Sequence, residues 1–360
     1  MPDVSATAPT IVDRAGPLAA HTTLRLGGPP QRLTVATSAE ELVQRVREVT
    51  RRREPLLLLA GGSNVVIADE GFPGTVILVR SRGVQVVADD GEAVTLRVAA
   101  GEPWDDFVAR AVAAGLSGVE CLSGVPGSTG ATPIQNVGAY GQEVAETVTA
   151  VRVYDRVTDE VVTKSAAECA FAYRSSIFRH SDRWVVLSVD FTLARSPMSA
   201  PLRYAELARA LDVEIGDRVP LAEARAAVLA LRAGKGMVLD PSDPDTCSVG
   251  SFFTNPMLDM EAYERLCQRT GDLGEPPSWP GAGGVVKVSA AWLIDKAGFP
   301  KGYAGEGGVA ISGKHTLALT NRGNGSTAAL LALARKIRDG VHERFGVTLQ
   351  PEPILVNCTL

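Results

Sequence analysis

The sequence predicts a two-domain protein of mixed helices and strands, with a first half of the α/β or α+β class. Strand-like and helix-like segments alternate through that half, as they do in this class of fold. The 360 residues exceed the usual size of one domain about twofold. The composition then changes at the Ser/Pro-rich run 196–201, so we place a domain boundary within 195–215.

Apolar periodicity and capping residues define the elements of the first half. Residues 1–20, rich in Ala, Pro and Thr, are a predicted loose lead-in. Arg32–Ala36 is a predicted strand, and Ser38 with Glu41 forms a capping box that begins a helix. An apolar strand at Leu56–Ala60 leads into a glycine loop. Further strands are predicted near 75–79, 94–99, 150–155, 160–163 and 184–192, and a helix near 104–114.

The second half shows fewer strands and clearer helices. An Ala/Leu helix is predicted at 221–233, followed by a Pro/Asp turn cluster at Asp240–Asp245. A Gly/Pro-rich stretch at 274–284 precedes a predicted amphipathic helix at 289–298. A long helix at 326–345 then leads to a final strand at 353–357. We therefore predict a first domain of residues 21–200 and a second of residues 201–360.

Composition and charge exclude several classes of protein. Hydrophobic residues make up 45% of the chain and charged residues 21%, which is enough apolar material for packed cores and excludes wholesale disorder. The net charge of −5 argues against nucleic acid as a partner, because phosphate binding depends on clustered basic charge. No apolar run reaches the ~18 residues of a membrane span, and the opening residues lack the pattern of a signal peptide.

Cysteine and histidine usage argues for a reducing compartment and against a metal site. The five cysteines are widely spaced without a CxxC pair, and the four histidines are scattered. Neither pattern is typical of a disulfide framework or a zinc site. We therefore expect a cytoplasmic enzyme without a bound metal.

Two glycine-rich segments are candidate cofactor loops. The first, Gly61-Gly62-Ser63-Asn64, follows an apolar strand and offers N–H groups and side chains that can converge on a phosphate. It matches neither GxGxxG nor GxxxxGK[ST], which weakens a Rossmann or P-loop interpretation, and alone it is equally compatible with a tight turn. The second, Gly124–Gly141, is long, and long loops in compact domains are usually functional. Together two such loops can hold the pyrophosphate and the ring of a dinucleotide.

Three further segments carry polar residues whose roles the local pattern leaves open. Arg174 follows Tyr173 between two predicted strands, where an arginine is more often part of a structural ion pair than a carboxylate ligand. Ser251 follows Gly250 without a GxSxG elbow or an assignable histidine, so a nucleophilic serine is not supported. Glu352 lies between two prolines and alone indicates a solvated turn carboxylate.

These segments belong to a longer series of motifs. The series is His21-Thr-Thr-Leu-Arg25-Leu-Gly-Gly28, Ala60-Gly-Gly-Ser-Asn-Val65, Gly127–Gly141, Phe171-Ala-Tyr-Arg-Ser-Ser-Ile-Phe178, Gly250-Ser-Phe-Phe-Thr-Asn-Pro256, Ala291-Trp-Leu-Ile-Asp295 and Pro351-Glu352. In this order, over nearly the whole chain, it resembles the UDP-N-acetylenolpyruvoylglucosamine reductase family of flavoenzymes. Each motif is moderately specific, and their common order leaves little room for coincidence.

The resemblance implies a fold, a reaction and cofactors. The fold is α+β, with a two-lobed FAD-binding domain of the vanillyl-alcohol oxidase (PCMH) type and a C-terminal α+β substrate-binding domain. The reaction reduces the enolpyruvyl ether of UDP-N-acetylglucosamine to UDP-N-acetylmuramate, with FAD and with NADPH as hydride donor, in peptidoglycan precursor synthesis. Covalent FAD attachment commonly uses a His or Cys in the first glycine loop, and residues 61–64 contain neither, so we expect non-covalent FAD.

The resemblance also implies roles for individual residues. Ser251 matches the family's proton donor, and Arg174 and Glu352 match the residues that polarise the substrate carboxylate, where a fixed cation stabilises developing negative charge. The implied cofactor contacts are Gly61, Gly62, Ser63, Asn64, Gly127, Ser128, Thr129, Pro133, Ile134, Gln135, Asn136 and Gly138. The implied substrate contacts are Tyr173, Tyr204, Arg232, Lys235, Asn255, Lys314 and His315. For His315 a structural role is equally compatible with the sequence.

Two alternative functions are compatible with parts of this pattern. A related flavin oxidase acting on an alcohol or sugar would share the glycine loops, but it gives no reason for Arg174, Ser251 and Glu352. A non-catalytic nucleotide-sugar binder would not need all three of these residues. We expect a small nucleotide-sugar as substrate, no nucleic-acid or membrane partner, and a monomer or weak dimer.

Overall fold

Helices and strands are mixed along the whole chain and divide into two units in the computed structural model, which describes residues 12–13 and 16–360. The first unit comprises Pro30–Gly61 and Pro73–Ala233, together with a short strand at Val12–Asp13. The second comprises Gly16–Pro29, Gly62–Phe72 and Gly234–Leu360. Most of the predicted lead-in, residues 1–11 and 14–15, lies outside the described residues. The predicted domain limits, 21–200 and 201–360, stay a prediction.

The described chain contains the following regular elements. The strands are β1 (Val12–Asp13), β2 (Pro30–Ala36), β3 (Leu56–Leu59), β4 (Val65–Ile67), β5 (Phe72–Val79), β6 (Val84–Asp89), β7 (Ala93–Ala99), β8 (Leu116–Ser117), β9 (Gly138–Ala139), β10 (Gln142–Glu143), β11 (Val148–Asp155), β12 (Glu160–Ser165), β13 (Trp184–Arg195), β14 (Ser248–Ser251), β15 (Met257–Leu258), β16 (Ser278–Pro280), β17 (Val286–Val288), β18 (Val309–Ile311), β19 (Ala318–Asn321) and β20 (Ile354–Val356). The helices are α1 (Ala39–Arg51), α2 (Trp104–Ala113), α3 (Ala205–Ala210), α4 (Leu221–Gly234), α5 (Met260–Thr270), α6 (Ala290–Lys296) and α7 (Thr327–Phe345).

The first unit is built on two sheets. One has the order β1-β2-β5-β3, with β3 and β5 parallel, so the carboxyl ends of these two strands lie at one edge. The other has the order β12-β11-β13-β7-β6, with β8 added to β13 at Leu116–Ser117. The core between helices and sheets includes Trp104, Phe107 and Phe191, whose rings lie 5.3–5.6 Å apart.

The second unit combines three small sheets with three helices. Its sheets have the orders β14-β19-β18, β15-β17-β16 and β20-β4, and the last pair is parallel. The apolar face of α7 supplies much of the core, with Leu330, Ile337 and Val341 fully buried. The β4–β20 pairing joins Val65–Ile67 to Ile354–Val356, and it therefore holds the end of the chain beside the segment that follows the first glycine loop.

The helices begin where the sequence predicts. The Oγ of Ser38 accepts a hydrogen bond from the N–H of Glu41 at 3.1 Å, as a capping box requires. The reciprocal bond differs, since the Glu41 carboxylate accepts from Thr37 and not from Ser38. The side chains of Ser289 and Ser326 cap α6 and α7 in the same way. Helices α3 and α5 were not predicted, and neither were most of the short strands, such as β4 and β15–β19. Strand β6 was missed as well, because it is exposed over nearly its whole length and shows no alternation of apolar and polar residues.

Candidate active site

The first glycine loop begins at the carboxyl end of the parallel strands. Gly61 follows β3 and lies directly against the second glycine loop: a Cβ atom added to Gly61 would lie 2.5 Å from the Cα of Gly127. Gly127 itself has a φ of +121°, which side-chain-bearing residues rarely adopt. Both positions therefore require glycine. The two predicted cofactor loops are in backbone contact within the first unit.

The rest of the first loop, Gly62–Asn64, belongs to the second unit. Gly62 has a φ of +63° and packs on the carbonyl of His21, and its own carbonyl accepts from the N–H of Thr23 at 3.1 Å. Asn64 connects to the last strand: its carbonyl accepts from the N–H of Ile354 at 3.0 Å, and its amide reaches the carbonyl of Glu352 at 3.5 Å. This end of the loop is thus held beside Glu352. Ser63 is half-buried there.

The second glycine loop is anchored on the strand–helix connection before α2. The N–H of Thr129 donates to the carbonyl of Glu102 at 2.8 Å, and the N–H of Gly130 donates to the carbonyl of Ala100 at 2.8 Å. Further on, the carbonyl of Ile134 accepts from the Oγ of Ser176 at 2.7 Å. Among the predicted cofactor residues, Ser128, Thr129, Pro133 and Asn136 are buried, and Ile134, Gln135 and Gly138 are half-buried. The second glycine loop therefore packs largely inside the first unit.

Arg174 is held by carbonyl oxygens of the same loop. Its Nη2 donates to the carbonyl of Gly138 at 2.8 Å, its Nη1 reaches the carbonyl of Asn136 at 3.4 Å, and its guanidinium lies 5.4 Å from the centre of the Tyr173 ring. The backbone at Arg174 has a φ of +50°, inside a tight turn in which Ala172 and Ser175 exchange hydrogen bonds. An arginine in this conformation is uncommon, and such strain occurs frequently at functional sites.

Ser251 and Glu352 are brought together within the second unit. Ser251 is the last residue of β14, opposite Ala318 of β19, and it precedes a short ladder to the end of the chain. In that ladder the N–H of Glu352 donates to the carbonyl of Phe252 at 2.8 Å, and the N–H of Thr254 donates to the carbonyl of Gln350 at 3.0 Å. Both side chains are half-buried. Glu352 is therefore part of a paired segment and not the solvated turn that the local pattern indicates.

Three predicted substrate residues lie on or after the helices that follow β13. Tyr204 is exposed at the start of α3, and its ring meets that of Tyr140 edge-on at 5.3 Å. Arg232 lies on α4. Burial lowers the pKa of its guanidinium, and the nearby Tyr140 and Asp105 act in the opposite direction. Lys235 follows α4 and is half-buried.

The remaining predicted substrate residues already have partners inside the second unit. The Oδ1 of Asn255 accepts from the N–H of Ala290 at 3.0 Å, at the start of α6. The Nζ of Lys314 lies 2.6 Å from the carboxylate of Asp243, which raises the pKa of the lysine. The N–H of His315 reaches the Oγ of Ser312 at 3.2 Å. The loop of Lys314 and His315 leads to Leu317, whose carbonyl accepts from the N–H of Phe252 at 2.7 Å.

One residue of this region was missed as a contributor. Thr23 donates from its Oγ1 to the carbonyl of Ser248 at 2.7 Å and from its N–H to the carbonyl of Gly62, so it connects the first glycine loop to the strand of Ser251. Asn321 reinforces the connection by donating to the carbonyls of Leu24 and Arg25. The signal was the motif His21–Gly28, which the sequence analysis used only for the resemblance.

Two searches of the described residues gave negative results. No three His, Cys, Asp or Glu side chains among them gather as they would around a metal ion. Nor does any helix in the described part of the chain have both the length and the apolar character of a membrane span.

Comparison with known proteins places this arrangement in a family. Residues 241–356 match the model of the UDP-N-acetylenolpyruvoylglucosamine reductase C-terminal domain, and residues 30–164 match that of an FAD binding domain. The UDP-N-acetylenolpyruvoylglucosamine reductase of Salinispora arenicola is 69% identical over 345 residues, covering 95% of both chains. This chain belongs to the UDP-N-acetylenolpyruvoylglucosamine reductase family.

Further members of the reductase family agree with this assignment. The protein of the same name from Thermobifida fusca is 59% identical over 348 residues, covering 96% of this chain and 98% of the relative. The crystal structure of the reductase from Thermus caldophilus matches with a TM-score of 0.66 at 25% identity, covering 97% of this chain and 99% of that one. The predicted α+β fold, an FAD-binding domain followed by a C-terminal reductase domain, is confirmed.

The residues present fit FAD. Both loops bring glycine backbone to one place, at Gly61 and Gly127, where a side chain would collide. Such backbone can approach a diphosphate closely, and neighbouring hydroxyl and amide groups add donors. Which residues hold the cofactor stays a prediction, namely the set named above in the loops 61–64 and 127–138.

Proposed function

We propose that this chain is the FAD-dependent oxidoreductase that reduces the enolpyruvyl ether of UDP-N-acetylglucosamine to UDP-N-acetylmuramate with NADPH. Membership of the reductase family and the matched FAD-binding domain support the reaction and the cofactors. The structural observation that carries the proposal is the ladder of the second unit, in which Ser251 and Glu352 are held by adjoining backbone pairs. The product is a precursor of peptidoglycan.

The reaction consumes one hydride and one proton. FAD, when bound, would supply the hydride-transfer chemistry, with NADPH as the source of the hydride and C3 of the enolpyruvyl group as its destination. Addition at C3 gives C2 the character of a carbanion, delocalised into the substrate carboxylate. A proton at C2 completes the lactyl ether, so the carbon–carbon double bond is reduced and atoms and charge balance.

Ser251 is the group that we propose to hold this proton. A hydroxyl is a weak acid in water, but it can donate to a strongly basic carbon when its geometry is fixed. The backbone around Ser251 is fixed on both sides, by pairing with Ala318 and by the hydrogen bond between Phe252 and Leu317. Ser251 needs no histidine for this role, because it acts as a proton donor and not as a nucleophile.

Arg174 and Glu352 are proposed to polarise the substrate carboxylate. A fixed positive charge near that carboxylate stabilises the enolate character that develops during hydride addition. The carbonyls of Gly138 and Asn136 orient the guanidinium before substrate binds, which reduces the cost of reorganisation. Tyr173 supports one face of this guanidinium.

The other predicted site residues are proposed to bind FAD and the nucleotide-sugar. FAD is held without a covalent bond, because residues 61–64 contain neither His nor Cys. For the substrate, Tyr204 and Arg232 offer a ring and a cation, and Lys235, Lys314 and His315 offer polar groups. Asn255 would contribute its amide Nδ2, since its Oδ1 is occupied by α6. Lys314 would have to exchange Asp243 for a substrate anion.

We also propose a cytoplasmic role in cell-wall growth, and thus in cell shape and division. The support is chemical: all five cysteines lie in the described residues as free thiols, which fits a reducing compartment. A monomer or weak dimer, without nucleic-acid or membrane partners, remains our proposal.

The deciding experiment is an anaerobic absorbance titration of the purified protein. We expect a yellow flavin, released by acid, that bleaches with NADPH and recovers when enolpyruvyl-UDP-N-acetylglucosamine is added. A flavin that bleaches but recovers only in air would instead indicate an oxidase. A colourless protein that cannot bind added FAD would contradict the proposal.

A further inference from the structure

The side chain of Asn136 is engaged inside the protein and links three segments around Arg174. Its Nδ2 donates to the Glu143 carboxylate at 2.7 Å and to the carbonyl of Ala172 at 3.2 Å. Its Oδ1 accepts from the N–H of Ala145 at 3.1 Å. Three of the hydrogen bonds that this amide can make are therefore formed within the first unit. Any contact of Asn136 with FAD then comes from its backbone.

Two of these bonds, together with the backbone carbonyl of Asn136, lead to the groups that hold Arg174. Ala172 is the residue whose hydrogen bonds with Ser175 close the tight turn around Arg174. The carbonyl of Asn136 itself receives the Nη1 of Arg174. The bond to Glu143 secures the hairpin β9–β10, whose first residue, Gly138, accepts from Nη2.

Asn136 has a backbone conformation that needs such support. Its φ of +45° lies in the left-handed region, as does the φ of +50° at Arg174. Residues other than glycine persist in this region only where surrounding contacts determine it, at a cost of about 1–3 kcal/mol each. Asn136 and Arg174, both in the left-handed region, are thus connected by hydrogen bonds and support each other's conformation.

Glu143 holds the amide of Asn136 beside the backbone of Gly138. Its carboxylate accepts from Asn136, and its backbone N–H donates to the side chain of Glu146 at 3.0 Å. At Gly138 there is no room for a side chain, since an added Cβ would lie 2.8 Å from the Cγ of Glu143 and 3.0 Å from the Nη1 of Arg174. The absence of a side chain at Gly138 therefore leaves room for the Glu143 side chain and the Arg174 guanidinium to pack against its backbone.

We propose that Asn136 and Glu143 are positioning residues for the reduction, which fix the Arg174 guanidinium through the carbonyls of residues 136 and 138. This inference rests on the proposed function, because it needs Arg174 to act on the substrate carboxylate. It gives Asn136 a side-chain role separate from cofactor binding, and it gives Glu143 a role that the sequence did not indicate.

The test uses Asn136→Asp and its combination with Glu143→Gln in the full-length protein loaded with FAD. The single change sets two carboxyl groups at hydrogen-bond distance, and such a pair shares one proton or separates. In the double variant the new amide at position 143 donates to the new carboxylate at position 136, so this bond is restored with donor and acceptor exchanged, while the bond from residue 136 to the carbonyl of Ala172 stays lost. The other charged groups in contact with this pair are Arg174, at the carbonyl of Asn136, and Glu146, which is bound to Arg203.

We expect Asn136→Asp to slow flavin reoxidation by the enolpyruvyl substrate about a hundredfold at about pH 8, with recovery towards about pH 6 as the pair takes up a proton. Flavin reduction by NADPH and FAD affinity should change less than about threefold. The double variant should recover part of the rate, equally at both pH values, because it restores the bond to residue 143 but not the one to the carbonyl of Ala172. Glu146→Gln, a matched change just after this hairpin that meets Glu143 only at its backbone N–H, should stay within about twofold of wild type.

Several outcomes would overturn the inference. Equal losses in both half-reactions, or loss of FAD, would show that the pair supports the cofactor loop and not Arg174. A pH-independent loss that the double variant does not relieve would do the same. Failure of the proposed function is distinguishable, because then the wild-type flavin itself would not be reoxidised by the enolpyruvyl substrate.

Discussion

Arg174 in the first unit and Ser251 in the second are held by different kinds of backbone. Arg174 lies in a left-handed turn, and its guanidinium is oriented by carbonyls from a glycine-rich loop. Ser251 ends a strand, and regular antiparallel pairing continues through Phe252 and Thr254. Both arrangements fix a side chain before substrate arrives. They differ in what maintains them, which is main-chain pairing at Ser251 and side-chain hydrogen bonds as well at Arg174.

This difference predicts how far the structural effect of a substitution reaches in each region. A strand end is maintained by main-chain hydrogen bonds, so changing the Ser251 side chain should leave its neighbours in place. The turn of Arg174 depends on side chains such as Asn136, so changes there should reach the guanidinium indirectly. Variants of the two regions should therefore affect the same half-reaction by different routes.

The largest effect is expected for Ser251→Ala. Flavin reduction by NADPH should be nearly unchanged, while reoxidation by the enolpyruvyl substrate should fall by about 10³-fold or more, because the proton for C2 is lost. Stopped-flow absorbance separates the two steps. Ser251→Cys, which retains a proton donor, should keep part of the rate. Comparable losses in both steps for Ser251→Ala would count against the donor role.

The next effect is expected for Arg174→Lys. An ammonium cannot reproduce the planar contact of a guanidinium with both a carboxylate and two carbonyls, so the second half-reaction should slow by about 10²-fold. The same replacement at Arg156, which donates to Thr50 and Asp182 away from these residues in the first unit, should have little effect. Near-normal turnover of Arg174→Lys would show that the Arg174 guanidinium does not polarise the substrate carboxylate.

A smaller effect, on cofactor binding and stability, is expected for Gly61→Ala. The new methyl group would lie 2.5 Å from the Cα of Gly127, so the two loops must separate, at a cost of about 1–3 kcal/mol in unfolding free energy. FAD affinity, measured by flavin fluorescence, should fall about tenfold or more. Gly234→Ala, where an added Cβ meets no atom within 4 Å, is the control. Wild-type affinity in Gly61→Ala would show that the loops do not share the cofactor.

The smallest effect concerns stability in the first unit alone. Arg183 donates two hydrogen bonds to the buried Asp155 carboxylate, which holds the pKa of Asp155 well below its ordinary value. A carboxyl group whose pKa is depressed by folding stabilises the folded state at any pH above its unfolded-state pKa of about 3.9. This stabilisation is lost as the pH falls towards and through the folded-state pKa. Arg183→Gln should lower Tm by about 2 °C at neutral pH and by less near about pH 3.

The control for this prediction is a pair in which both partners are exposed. Arg195 and Asp89 form such a pair, with side-chain exposures of 44% and 38%. Arg195→Gln should therefore change Tm less than Arg183→Gln does. An equal effect of the two variants, or one for Arg183→Gln that grows as the pH falls, would contradict the assignment to Asp155.

Local sequence predicted the features that depend on residues close along the chain. The cap at Ser38, the helix that begins after Ser326 and the apolar strand before Gly61 all follow from short patterns, and the structure confirms them. The order of the motifs was also sufficient to indicate the reductase family. These signals work because a cap, a period or a motif is complete within a few residues.

The sequence could not predict which distant segments meet. Strand β4 pairs with β20 although Val65 and Ile354 lie at opposite ends of the chain, and the short strands carry no register signal of their own. For the same reason the sequence did not show that the segments 16–29 and 62–72 group with Gly234–Leu360, as they do in the structure.

The sequence by itself determined the chemistry that is available, and the tertiary structure decided where that chemistry is used. The ordered motifs that contain an arginine, a serine, a glutamate and two glycine loops resemble one reductase family, and that resemblance indicated an FAD-dependent reduction. Only the fold showed that the Asn136 amide is occupied by Glu143 and Ala172, and that Lys314 is paired with Asp243. The physical reason is that a residue's type sets which hydrogen bonds and charges it can offer, while partners far along the chain decide which of them are already taken.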